Sequence, residues 1–175
     1  MKKLLIPFCL LVGLSTISNA QDAPKEYLDK VQTLDSTLET LYAVISGEKG
    51  EARDWDLFRF LFHPDAKLIP SGKNKEGVIG ARYMTASDYV NSSGNYLVEN
   101  GFFETEIHRE VDTFGNITQV FSTYESFRSA SDTTPFMRGI NSIQLLNTGD
   151  RWYIINIYWT QESETNPIPA RYLPN

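Results

Sequence analysis

Residues 104–112 read ETEIHREVD, which places three glutamates, an aspartate, a histidine and an arginine within nine positions. Two carboxylates held close in a half-buried site share a proton, and the raised partner suits general acid–base work. A histidine beside them can accept or relay a proton near neutral pH. In an extended strand the side chains alternate. Glu104, Glu106, His108, Glu110 and Asp112 therefore share one face, and Ile107, Arg109 and Val111 share the other. Only one of these faces can look into a binding site.

Other chemical signals are few. His63 is the only other histidine, and there is no HExxH or paired-histidine spacing, no glycine-rich phosphate loop and no G-x-S-x-G elbow. Neither a metal nor a cofactor is expected. Cys9, the sole cysteine, lies in a leader-like segment. Lys2 and Lys3, the apolar run Leu4–Leu14 and the small residues before Gln21 predict a signal peptide over 1–20, cleaved after Ala20, and export to the periplasm or beyond. Nothing after residue 20 is long and apolar enough to re-enter a membrane. The net charge of −6 falls to about −8 without the two leader lysines. An acidic chain without a basic stripe is poorly suited to nucleic acid, where affinity comes largely from neutralising phosphates.

The elements that must position these groups follow from periodicity. Leu28, Val31, Leu34, Leu38, Leu41, Tyr42 and Ile45 recur at helical spacing and predict one helix, stopped by Gly47 and Gly50. A second, shorter helix runs through DWDLFRFLF, with Asp54 as its N-cap and His63-Pro64 ending it. AKLIP and VIGARYM read as short strands, and Thr85-x-x-Asp88 opens a third helix that closes at Asn100-Gly101. Four long strand-like runs follow, at 103–114, 117–128, 136–146 and 151–161. Gly115-Asn116 and Thr148-Gly149 read as tight hairpin turns. The tail NPIPARYLPN reads as extended chain on the surface. Helices first and then an antiparallel meander predict an α+β domain with helices on one sheet face.

This order, with LFHPDAKL entering the first strand and GDRWYIINIYW in the last hairpin, resembles the nuclear transport factor 2-like superfamily in its SnoaL-like branch. The resemblance covers about 28–161, leaving 21–27 as an N-terminal extension and 162–175 as the tail. It implies a cone-shaped half-barrel, a curved antiparallel sheet with helices on its concave face around one pocket. It also implies either cofactor-free lyase or isomerase chemistry on a small, mostly apolar molecule, or a non-catalytic ligand-binding or protein-interaction domain, with homodimerisation through the outer sheet face. Fold alone fixes none of these.

Counting outward from two-residue turns pairs Glu106 with Glu125 and His108 with Thr123. It also pairs Ile143 with Ile154, Asn141 with Asn156 and Gly139 with Tyr158. The long loop between the second and third runs leaves their register open. One parity aligns Phe121 with Ile143 and Ile154 and puts His108, Thr123, Asn141 and Asn156 in one polar row. The other puts Arg109 and Tyr124 inside. The first is preferred because it extends the apolar floor. On it, Glu106, His108 and Glu125 are the candidate proton carriers, in one cavity with Asn141. His63, Thr123, Asn141, Asn156 and Tyr158 are candidate polar contacts, and Trp55, Phe62 and Tyr89 form the apolar lining. Arg138 is expected to stack on Trp159.

Overall fold

In the computed structural model, which describes residues 24–174, Thr33 splits the first periodic stretch. Its hydroxyl accepts from the Ser36 N–H, and the Ser36 hydroxyl accepts from the Thr33 N–H. This reciprocal cap starts a new helix. The single helix expected over 28–45 is therefore two, α1 (Lys25–Asp29) and α2 (Leu34–Ile45). Helix α3 (Trp55–Leu61) is capped by Asp54, which accepts from the Leu57 N–H at 2.8 Å. Strand β1 (Phe62–Lys73) begins directly after it and is longer than AKLIP, whereas only β2 (Ile79–Ala81) forms within VIGARYM. Helix α4 (Ala86–Asn100) opens on the Thr85–Asp88 capping box and stops at Gly101, whose φ of +70° suits a residue without a Cβ. The expected signal peptide lies outside the described residues.

Strands β3 (Phe103–Phe114), β4 (Ile117–Phe127), β5 (Met137–Asn147) and β6 (Trp152–Gln161) complete a six-stranded sheet in the order β2-β1-β6-β5-β4-β3. Neighbours are antiparallel except β1 and β6, which run parallel, so the sheet is mixed rather than wholly antiparallel. These two strands are joined through α4 and three hairpins, and no tight turn forces them to run in opposite directions. Helices cover the concave face. Leu38, Leu41, Phe58, Leu61, Leu68, Val120, Ile143, Leu145 and Ile154 form the core there.

The strand registers differ from the turn counting in three places. The turn at Gly115-Asn116 does pair Phe114 with Ile117, and His108 does face Thr123. A β-bulge then skips Ile107, so Glu106 faces Tyr124 and Glu104 faces Ser126. The second hairpin closes through Thr148–Arg151, pairing Asn147 with Trp152, and a second bulge skips Ile155. Between β4 and β5, Val120 pairs with Ile143 and Ser122 with Asn141, which is the parity not preferred from the sequence. The inner rows are therefore Val120–Ile143–Ile157, Ser122–Asn141–Trp159 and Tyr124–Gly139–Gln161.

Phe121 points outward, and its apolar ring is met by the tail rather than by the core. Tyr172 lies 4.9 Å from it, centroid to centroid, and the Tyr172 carbonyl accepts from Thr123 Oγ1 at 2.6 Å. The tail is not simply extended. It makes a short 3-10 turn at Ala170–Tyr172 and lies across the outer sheet face, where the homodimer contact was expected.

Gly139 makes room for Tyr124. A Cβ there would lie 2.5 Å from both Tyr124 Oη and the Thr160 carbonyl oxygen. Gly139→Ala is expected to cost about 1–3 kcal/mol by overpacking. A urea-unfolding midpoint equal to that of the wild type would show that Tyr124 does not need this space.

Candidate functional site

Between the helices and the concave face lies a cavity of about 340 Å³. Its walls are largely aromatic. Phe58 and Tyr89 stack at 5.3 Å, Tyr89 meets Trp159 edge-on at 6.4 Å, and Phe62, Phe102, Tyr124 and Phe136 complete the lining. Each wall follows from a sequence period. Helices α2 and α4 supply Leu41, Ile45, Tyr89 and Leu97 from their apolar stripes, and β4, β5 and β6 supply Tyr124, Asn141 and Trp159 from alternate positions.

One ionisable acid enters this space. The bulge at Ile107 keeps Glu104 and Glu106 on the inner face while returning Arg109, rather than His108, to the same side. Glu104 lines the cavity and accepts from Ser126 Oγ at 3.1 Å and from Asn141 Nδ2 at 3.5 Å. It is half-buried, and the surface it retains faces the cavity. Burial pushes its pKa up to about 7, against the smaller opposing effect of those two hydrogen bonds. Tyr89 and Tyr124 also line the cavity. Burial, and then the charge of Glu104, raises both phenols well above the usual range, so they remain proton donors.

Beneath Glu104 runs a chain of hydrogen bonds whose direction can be deduced. Ser122 Oγ donates to Glu106 Oε2 at 2.5 Å, which uses its only proton. The 2.6 Å contact between Tyr42 Oη and Ser122 Oγ must then be donated by Tyr42. Tyr42 Oη accepts in turn from Asn141 Nδ2 at 3.1 Å. Glu106 is held by Arg109 Nε at 2.5 Å, and Arg109 Nη1 reaches Asp35 at 2.7 Å. The order Asn141–Tyr42–Ser122–Glu106–Arg109–Asp35 thus connects the cavity wall to the protein surface, with every proton assigned along the way. It also fixes the Asn141 amide so that its N–H groups, not its oxygen, face Glu104 and Tyr42.

Of the residues singled out from the sequence, Asn141, Phe62 and Tyr89 line this cavity. Glu106 shares the inner face but lies in the network below it. His108 is on the outer face, 3.4 Å from Glu110, and Glu125 is on the outer face near Arg138, at 3.8 Å. The four groups Glu106, His108, Glu125 and Asn141 therefore do not share a cavity, and Glu106 is not opposite Glu125. The bulge, invisible to turn counting, parts Glu106 from His108 and Glu125, and the β4–β5 register sets His108 and Glu125 on the face opposite Asn141. Thr123 is buried under the tail, while Asn156 and Tyr158 face outward because of the bulge at Ile155. His63 packs on Tyr153 and accepts from the Asp65 N–H through Nδ1. Trp55 packs edge-on against Phe58 at 5.9 Å, on the side of Phe58 away from the cavity lining. Arg138 binds Glu162 at 2.7 Å instead of stacking on Trp159.

The sequence reading missed Glu104, Tyr42, Ser122 and Arg128, and put Tyr124 inside only on the parity that was not preferred. Only Tyr42 carried a usable signal, since a tyrosine in the apolar stripe of a helix needs a buried partner for its hydroxyl. Among the described residues no cluster of three or more His, Cys, Asp or Glu side chains is placed to hold a metal ion.

The Glu104 shift has a consequence for stability. The folded state holds this proton more tightly than the unfolded chain does, so the contribution is full below about pH 4.5 and is lost as pH rises through about 7. Glu104→Gln removes it. The stability difference between wild type and variant is expected to change by about 1–3 kcal/mol from pH 5 to 8, reduced by the carboxyl's contact with the cavity, with the variant favoured at the alkaline end. Urea unfolding across that range measures this, and a pH-independent difference would contradict the burial.

No family model matches the sequence, and no curated protein matches it. Solved structures do match. The β subunit of a proposed aromatic-ring-hydroxylating dioxygenase from Novosphingobium aromaticivorans aligns with a TM-score of 0.56 at 12% identity, over 77% of this chain and 94% of that one. A proposed ketosteroid isomerase from Parabacteroides distasonis aligns at 0.52 and 11%, over 78% and 98%. An NTF2-like protein of unknown function from Silicibacter pomeroyi aligns at 0.51 and 15%, over 79% and 98%. At these identities the likeness is one of fold, and it agrees with the curved sheet, the helices on its concave side and the cavity between them: the chain has the nuclear transport factor 2-like fold.

Proposed function

We propose that this is an exported domain that binds one small, mostly apolar molecule in the concave-face cavity and moves a proton within it, as a cofactor-free isomerase or lyase. The carrying observation is Glu104, a carboxyl in an aromatic cavity with a proton affinity near neutrality. A base is most effective when its pKa lies near the working pH. As a carboxylate Glu104 takes a proton from carbon beside a carbonyl group. Tyr89 and Tyr124 donate hydrogen bonds to the oxygen on which negative charge develops. Glu104, now neutral, returns the proton to another carbon, which completes an isomerisation without a redox partner. A proposed ketosteroid isomerase that shares the fold supports this reading. Export is supported by the leader-like residues 1–20.

A substrate-independent probe tests the proton transfer. With 5-nitrobenzisoxazole, a base removes the C3 proton as the N–O bond breaks, and the electron pair ends on the phenolate oxygen. The wild type is expected to accelerate this with a rate rising through about pH 7. Glu104→Gln is expected to lose about a hundredfold. Equal rates for the two proteins would remove Glu104 from the chemistry. Binding of the probe without acceleration would favour a non-catalytic ligand carrier.

A further inference from the structure

Three arginines are drawn into the body of this domain, and they are used differently. Arg53 is buried and gives its N–H groups to the carbonyls of Ile45, Gly47 and Glu51, tying the end of α2 to the following loop. Arg151 is buried and donates to the Phe60 and Trp152 carbonyls while lying on the Phe60 and Tyr153 rings. Both are satisfied by the main chain, as buried cations without carboxylate partners must be.

Arg128 is not. It sits just past the end of β4 and lines the cavity. Its Nη2 donates to Tyr96 Oη at 2.9 Å, and its guanidinium lies over the Phe136 ring at 3.9 Å and the Tyr96 ring at 5.4 Å. Its Nη1 is buried with no hydrogen-bond partner, the one such side-chain atom among the described residues. No carboxylate of the described residues lies within ion-pair distance of it. A guanidinium is a fixed fork of donors matched to planar anions, and leaving a buried donor unmatched is costly.

We propose that the cavity is built for a small organic anion, a carboxylate on an apolar body the size of a single ring, with the Arg128 guanidinium as its anchor. This rests on the reading of the cavity as a ligand site and names the class of ligand it takes. The anion meets Nη1, and the apolar body lies against Phe58, Phe62, Ile157 and Trp159. Because Nη1 is covered, the anion reaches it as the Phe136 ring turns aside. That ring is 45% exposed and lies on the connection between β4 and β5, where the side chain turns while the Phe136 N–H stays bonded to the Ser126 carbonyl. The net charge of −6 gives the protein no general attraction for anions, so the selectivity has to come from this one local cation. Glu104 lines the same cavity, opposite Ser126, and opposes the anion's charge least when protonated.

The test compares phenylacetate with its neutral isostere phenylacetamide by quenching of tryptophan fluorescence, with Trp159 in the cavity wall as reporter. It is run at pH 6, where phenylacetate is ionised and Glu104 is mainly protonated. Phenylacetate is expected to bind at least about tenfold more tightly than phenylacetamide to the wild type. Arg128→Met is expected to abolish that preference while leaving phenylacetamide binding in place. A thermal melt confirms that the variant folds, and the wild-type comparison stands without it. If the two probes bind the wild type equally, or if the preference for phenylacetate survives in Arg128→Met, the anion site is refuted while the cavity remains a ligand site. If neither probe binds at about 10 mM, the ligand-site reading falls and this inference falls with it.

Discussion

The extra residue at Ile107 determines which charged side chains of β3 face the helices and which face away. Without it, strict alternation along β3 would put Glu104, Glu106 and His108 on one face. With it, the count shifts by one partway along the strand, and the inner face receives Glu104, Glu106 and Arg109 in succession. The arginine is what makes two inward glutamates tolerable. It holds Glu106 as an ion pair and extends to Asp35 at the surface, so only Glu104 is left to meet the apolar cavity. The remaining polar residues of the inner face then have defined tasks. Ser122, Tyr42 and Asn141 link the ion pair to the cavity wall, and small side chains at Ser122, Ser126 and Gly139 leave room for the Tyr42 and Tyr124 rings.

The same strand answers a second demand. β3 is an edge of the sheet, with one side unpaired. Edges with exposed polar main chain invite pairing with other chains, and charges and bulges discourage it. Glu110 and Asp112 supply that charge, and Ile107 supplies the bulge. The crowded sequence of β3 is therefore neither a single active centre nor a passive wet edge. One feature, the bulge, both disturbs the edge and distributes the charged residues between the two faces.

Much of the architecture was legible from local signals. The Asp54 and Thr85–Asp88 caps, the Gly101 stop and the Gly115-Asn116 turn each act through a few neighbouring atoms, and each is found where the sequence places it. Asn141, Phe62 and Tyr89 were assigned to the cavity, and they line it. What was not legible depends on distant parts of the chain. A β-bulge has no fixed residue code, and two of them shifted the registers on which the site was built. Phe121 looked like a core residue because it is apolar, but its partner is Tyr172, some fifty positions later and on the opposite face. Arg138 finds Glu162 at the start of the same tail. The inner face of β4 was passed over because the other parity set Phe121 on the apolar floor, although Thr118, Ser122 and Ser126 are buried in partnership with Thr113, Tyr42 and Glu104.

The network also fixes how Glu104 is tuned. A carboxyl's proton affinity can be raised by a neighbouring negative charge or by loss of water. Glu106 is two residues away on the same face, but Arg109 and Ser122 hold its carboxylate, and burial dominates the rise at Glu104. The charge of Glu106 is taken up by Arg109 and Ser122. Glu104 therefore responds to the contents of the cavity. An apolar body that displaces water strengthens its hold on the proton, whereas a cationic one would weaken it. Occupancy and protonation are therefore linked in sign: an acid tuned by burial becomes stronger or weaker according to what lies against it.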